Sequence, residues 1–197
     1  MRPIDISIER IRTKLKEMSS LVENLVNEMS KGVYKIEDVS DIVTKIRLLR
    51  TEIHSLVIET IARFQPVASD LRYLIASLEI SYGLFRFSRY ALDMAYMFKN
   101  LLGEEEKECD FEITRKMLPH VVKMMRDSIE SFMYKDPTIA NEVVKYDSNI
   151  DVMLAQAIER ARKEINKCTY LDLIMAIYLE RIADHSVYIA SDTLFLI

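Results

Sequence analysis

Two pairs of acidic residues are the part of this sequence best suited to chemistry. Asp147 and Asp151 are four residues apart, and so are Glu180 and Asp184. On a helix, residues four apart project from the same face, so each pair presents two carboxylates together. If the two helices are antiparallel neighbours, all four carboxylates converge between them. Such a cluster either binds a hard cation or suffers strong mutual repulsion.

The simplest alternative is that these acids are ordinary solvated charges, as most acidic residues on helices are. If they do hold a metal ion, a ligand set made only of oxygen favours iron, Mg, Mn or Ca over a thiolate zinc site. A carboxylate-bridged metal enzyme or a metal-storage bundle is the catalytic alternative. Oxidases of that class use Glu-x-x-His pairs, and no glutamate here has a histidine three residues later. We therefore expect a protein without catalysis.

The composition predicts the framework that must position the acids. Half of the 197 residues are hydrophobic and 29% are charged, but only three are glycine and four are proline. So little turn-forming material predicts an all-α fold of few, long helices. The three scattered glycines form no phosphate-binding loop. The formal net charge of −4 indicates no nucleic-acid partner.

Hydrophobic residues recur every three or four positions and predict six helices. We expect them at about residues 4–31, 37–64, 69–102, 111–134, 138–166 and 169–194. Gly32 should end the first helix, and Thr169 with Asp172 resembles a capping box opening the last. The acidic run at residues 104–108 divides the helices three and three. This pattern predicts two tandem antiparallel three-helix bundles, one in residues 1–103 and one in residues 109–197.

The remaining chemical groups suggest a soluble, cytoplasmic protein. Cys109 and Cys168 lack CxxC spacing, and we expect reduced thiols, with a disulfide between them left open. The N-terminal residues are charged and predict no signal peptide, and no apolar run is long enough to span a bilayer. His185 lies about 100° around the helix from Asp184, so we expect it at the rim of the acid cluster.

Several segments together resemble one known family. Residues 65–72 (Gln-Pro-Val-Ala-Ser-Asp-Leu-Arg) and 178–185 (Tyr-Leu-Glu-Arg-Ile-Ala-Asp-His) carry the resemblance most strongly, followed by 125–132 and 147–151. Over nearly its whole length the chain resembles the PhoU family of phosphate-uptake regulators. The resemblance implies two three-helix bundles, metal clusters bound by Glu/Asp-x-x-x-Asp pairs, and restraint of a phosphate transporter and its sensor kinase.

The resemblance leads to specific functional expectations. We expect a regulator that docks, as a homodimer, on the ATPase subunit of a phosphate transporter or on a sensor histidine kinase. A diverged paralogue that regulates another ion transporter is the alternative. It also implies that the metal ligands of the second repeat are Asp147, Asp151, Glu180 and Asp184.

The first repeat departs from the family's acidic pattern. The positions that match the four acids are Val43, Arg47, Phe85 and Arg89. Apolar and cationic groups there would repel a cation, so we expect one metal site or cluster at most. The two arginines should be exposed to solvent, paired with an acid such as Asp93, or bound to an anion.

Overall fold

The computed structural model describes residues 2–30, 35–102 and 109–196, and within these ranges it contains six helices and no strand. The helices are α1 (Pro3–Ser30), α2 (Ile36–Phe64), α3 (Ala68–Leu102), α4 (Glu112–Tyr134), α5 (Pro137–Lys163) and α6 (Lys167–Phe195). The all-α prediction is confirmed. The expected helix end at Gly32 and the acidic run 104–108 lie outside the described residues. None of the described helices has the length and apolarity needed to cross a membrane.

Each half of the chain folds as a three-helix bundle. Helices α1, α2 and α3 pack on one another, and so do α4, α5 and α6, while α3 against α6 and a smaller α1–α4 contact join the halves. The helices bury the stripes predicted from their periodicity, and in α1 Ile11, Leu15 and Met18 are completely buried. One continuous apolar core runs through both bundles. The predicted pair of bundles is confirmed.

Helices α3 and α6 form the seam between the bundles. The ring of Tyr82 contacts that of His185 and the ring of Tyr90 contacts that of Tyr178, so the two helices run antiparallel. They pack tightly at Gly83, where an added Cβ would lie 3.0 Å from the side chain of Ile189. A larger residue at position 83 would require the Ile189 side chain to shift.

The start of α4 depends on a carboxylate from α6. Asp172 is 2% exposed and accepts hydrogen bonds from the backbone N–H groups of Ile113 and Thr114, at 3.0 and 2.8 Å. The Thr114 hydroxyl also donates to it, and Arg160 lies 3.3 Å away and balances its charge. Asp172 therefore supplies the cap that α4 lacks, because Phe111 at the N-cap position makes no side-chain cap.

The capping box predicted for α6 is wrong. The helix begins at Lys167, two residues earlier than expected, and the side chain of Asn166 caps it by accepting a hydrogen bond from the Thr169 N–H at 3.0 Å. Asp172 serves the neighbouring helix instead of its own. Sequence spacing could not show this, because the amides that Asp172 binds are almost sixty residues away.

The two cysteines form a disulfide, so the expectation of reduced thiols is wrong for this structure. Cys109 and Cys168 are bonded, with their Cα atoms 5.2 Å apart. Cys109 lies just before α4 and Cys168 lies in the first turn of α6, next to the Asp172 cap. The cap brings these two helix starts together and places the thiols within bonding reach.

Replacement of Asp172 should destabilise the fold more than loss of an ordinary cap. We expect Asp172→Ala to lower the free energy of unfolding by about 2–4 kcal/mol, because the buried N–H groups of Ile113 and Thr114 lose their acceptor. Asp136→Ala is the matched control, since Asp136 caps α5 at an exposed site and its loss should cost about 1 kcal/mol. Urea unfolding measures both. If both substitutions lowered the free energy of unfolding equally, Asp172 would contribute no more than an exposed cap does.

Reduction of the disulfide should also destabilise the protein. The bond joins residues separated by 59 positions, and loop entropy for such a length predicts a loss of about 4 kcal/mol. Urea unfolding with and without a reductant measures this difference. The variant with both Cys109→Ser and Cys168→Ser should show no response to reductant. Two freely titrating thiols in the folded, air-exposed protein would contradict the bond.

Candidate functional site

The four predicted ligands lie on neighbouring helices of the second bundle. Asp147 and Asp151 belong to α5, whereas Glu180 and Asp184 belong to α6, which packs directly against α5. Asp151 is exposed and the other three are half-buried. Arg181, the one cation next to them in sequence, lies 3.7 Å from Glu180.

The carboxylates act on one another electrostatically. Burial raises the pKa of Asp147, and the charges of Asp151 and Asp184 raise it further. Burial and then Asp184 raise the pKa of Glu180, while Arg181 partly offsets this effect. Burial also raises the pKa of Asp184, with Arg181 lowering it and Asp151 raising it. The four acids therefore lie in one repelling cluster on the α5–α6 face.

This acid cluster is not a finished coordination shell. In the described ranges, no group of three or more His, Cys, Asp or Glu side chains is arranged to hold a metal ion. The donor set nevertheless suits a hard cation, because it consists of carboxylate oxygens whose mutual repulsion a cation would relieve. The arrangement can concentrate negative charge, and a bound ion would require the side chains to turn toward one another.

The matching positions of the first bundle have a different chemistry. Val43 is buried and Phe85 packs against the core, so both serve packing. Arg47 is exposed, and Arg89 is bonded to Asp93 at 3.0 Å. The expected exposure of Arg47 and the expected ion pair of Arg89 are confirmed. None of these four side chains carries an oxygen that could bind a metal.

His185 faces the seam between the bundles. Its ring lies 5.8 Å from that of Tyr82, 5.9 Å from Tyr90 and 5.3 Å from Tyr188. Burial lowers its pKa to about 4, with Arg86 and Arg181 adding to the effect, so the imidazole is neutral at pH 7. The sequence predicted that His185 lies at the rim of the acid cluster. In the structure, its ring contacts tyrosines of α3 and α6 instead.

The seam also holds two arginines whose contacts with tyrosine rings were not predicted from the sequence. Arg50 of α2 lies over the ring of Tyr82, and Arg86 of α3 lies over the ring of Tyr90. A partial signal exists in the sequence, since Tyr82, Arg86 and Tyr90 follow one another at intervals of four and share a helix face. Arg50 belongs to α2, and no spacing in the sequence indicates that it lies over the Tyr82 ring.

Comparison with known proteins matches both bundles to one family. The family described as "PhoU domain" matches residues 15–97 and again residues 114–193. These two segments fall within α1–α3 and α4–α6. The chain thus contains the same domain twice, in agreement with its two bundles.

Individual relatives extend over most of the chain. It is 29% identical, over 96% of its length and 92% of the relative's, to a phosphate-specific transport system accessory protein PhoU homolog of Clostridium acetobutylicum. Identity is 30% over 71% of this chain and 67% of a PhoU homolog 1 of Methanothermobacter thermautotrophicus.

Solved structures show the same fold. PhoU of Pseudomonas aeruginosa superposes with a TM-score of 0.75 at 22% identity, covering 98% of this chain and 97% of that one. The phosphate transport system regulatory protein PhoU of Streptococcus pneumoniae gives 0.78 at 17% identity, covering 98% and 96%. With the family matched in both bundles and relatives aligned along almost the whole length, this chain belongs to the PhoU domain family.

Proposed function

We propose that this protein is a non-catalytic accessory regulator of a phosphate transport system. The observation that carries the proposal is the match of the PhoU domain in both bundles, together with relatives named as accessory proteins of phosphate-specific transport. The long helical faces suit a protein that acts by contact. In the described residues the candidate site contains repelling carboxylates and no nucleophile paired with a base.

We infer that regulation works by docking in the cytoplasm. The partner is the ATPase subunit of the transporter or a sensor histidine kinase, and the regulator acts as a homodimer. Docking would restrain uptake when phosphate is plentiful. A diverged paralogue serving another ion transporter is the second candidate, and it is favoured by Val43, Arg47, Phe85 and Arg89 standing where the second bundle has acids.

We further propose that the acid cluster of the second bundle binds a metal ion. Asp147, Asp151, Glu180 and Asp184 would supply the ligand oxygens, and iron, Mg, Mn or Ca fits that chemistry. Burial, and then mutual repulsion, raises the pKa values of three of these acids. A bound ion would neutralise that repulsion and would hold α5 to α6. The first bundle would bind none, which gives one site or cluster per chain.

Deletion of the protein tests the proposed role. In cells grown with abundant phosphate, loss of the chain should raise the uptake of radiolabelled phosphate, because restraint on the transporter is lost. Re-expression of the wild-type chain should restore the low rate. Unchanged phosphate uptake would contradict the proposal. Changed uptake of another ion in the same cells would then support the diverged paralogue.

Metal binding should appear as a change in stability. At a hundredfold excess over Kd, a bound ion should stabilise the folded state by about 3 kcal/mol, so chelation should lower the melting temperature at pH 7. Asp151→Asn with Asp184→Asn should abolish the response and the bound metal measured by elemental analysis. Arg47→Gln with Arg89→Gln, at the matching positions of the first bundle, should keep both. A response unaffected by the acid substitutions would place the metal elsewhere.

The metal-free protein should also depend on pH in a defined direction. Because the pKa values of Asp147, Glu180 and Asp184 are raised on folding, the folded chain binds protons more tightly than the unfolded chain does. These groups should therefore reduce stability as pH rises from about 4 through their raised values. The Asp151→Asn, Asp184→Asn variant should show a smaller loss, measured by urea unfolding of chelated protein. An equal loss would show that the acids do not repel one another.

A further inference from the structure

Tyr82 lies at the centre of a cationic and aromatic cluster formed by three helices. The guanidinium carbon of Arg50, from α2, lies 5.2 Å from the centre of the Tyr82 ring and 5.5 Å from that of Phe85. Arg86 is one turn from Tyr82 on the same face of α3. His185 of α6 meets the Tyr82 ring edge-on at 5.8 Å. Tyr82 itself is 38% exposed, so the cluster reaches the surface.

The two arginines have no acidic partner among the described residues. Arg50 makes only the ring contacts with Tyr82 and Phe85. Arg86 lies 4.5 Å from the centre of the Tyr90 ring and donates a hydrogen bond to the Tyr90 hydroxyl. The nearby acid Asp93 is bonded to Arg89 at 3.0 Å. Two permanent positive charges thus remain without a bonded carboxylate, because guanidinium does not deprotonate in proteins.

Both arginines also leave a buried donor unsatisfied. The Nε atoms of Arg50 and Arg86 are buried, and neither finds a hydrogen-bond acceptor in the described chain. A buried donor without an acceptor destabilises the fold, so such atoms are rare in native proteins. The third atom of this kind, in Arg72, belongs to α3 about 21 Å further along the helix and is separate.

We propose that Arg50 and Arg86, around Tyr82, form a binding site for a phosphate-type oxyanion. The Nε–H and Nη–H groups of each guanidinium form a fork that matches two oxygens of such an anion. Because the two forks come from different helices, a tetrahedral anion with oxygens in several directions suits them better than a planar carboxylate. The site is separate from the proposed metal site, since none of its residues is one of the four acids.

The same chemistry has two sources, which are free phosphate and a phosphoryl group on a side chain of a partner protein. The Nε–Hε resonances of Arg50 and Arg86, assigned with single variants, report on either one. Inorganic phosphate and N-acetylphosphoserine amide are titrated separately, with chloride at matched ionic strength as the control. We expect saturable shifts of both resonances with at least one phosphoryl probe and none with chloride. Saturation by the phosphoserine probe alone would identify a phosphorylated partner as the source.

Conservative variants distinguish a site from a general effect of charge. Arg50→Lys and Arg86→Lys keep the positive charge but lose the planar fork, and each should weaken binding by about tenfold or more. Arg47→Lys is the matched control, because Arg47 is exposed one turn away on α2 and should leave the affinity unchanged. If Arg86→Lys fails to fold without its bond to Tyr90, Arg50→Lys decides the question. Shifts that equal those in chloride, or an equal loss with Arg47→Lys, would overturn the proposal.

Discussion

The close antiparallel packing of α3 on α6 is the constraint on which the rest of the structure depends. Each bundle has its own three helices, but this seam merges their interiors into one apolar core. Gly83 permits the approach, because a Cβ at that position would lie 3.0 Å from the side chain of Ile189. One side of α3 packs against α6, and its other sides pack against α1 and α2. In the same way, α6 packs against α3 on one side and against α4 and α5 on the others. Each candidate site includes residues of one of these helices, the acid cluster from α6 together with α5 and the cluster around Tyr82 from α3 together with α2.

The seam brings together side chains that are far apart in the sequence. Tyr82 of the first bundle meets Arg50 of α2 on one side and His185 of α6 on the other, because α3 packs against both of those helices. At the other end of the second bundle, Asp172 and the Cys109–Cys168 bond tie the starts of α4 and α6 to each other. These contacts hold the orientation of α6, which presents acids toward α5 and aromatic rings toward α3.

The two bundles share a fold and differ in charge. The second carries repelling acids on α5 and α6, whereas the matching helices of the first carry the arginines at 47 and 89. Arg50 and Arg86 lie three residues from those positions and add to the cationic character. Arg47 is exposed, so its charge does not disturb the core. Val43 and Phe85 instead pack in the core of the first bundle, where the second bundle has acids.

The six helices, their division into two bundles and the placement of the acids on α5 and α6 could all be predicted from the amino-acid sequence. These features follow from local periodicity and i,i+4 spacing, which need no knowledge of distant contacts. Only the tertiary structure decided that Asp172 caps α4, that Cys109 bonds to Cys168, and that Arg50 lies over Tyr82. In each of these, the partners are tens of residues apart in the chain. Helix spacing shows which residues share a face, but only the packing of the helices decides which other helix covers that face.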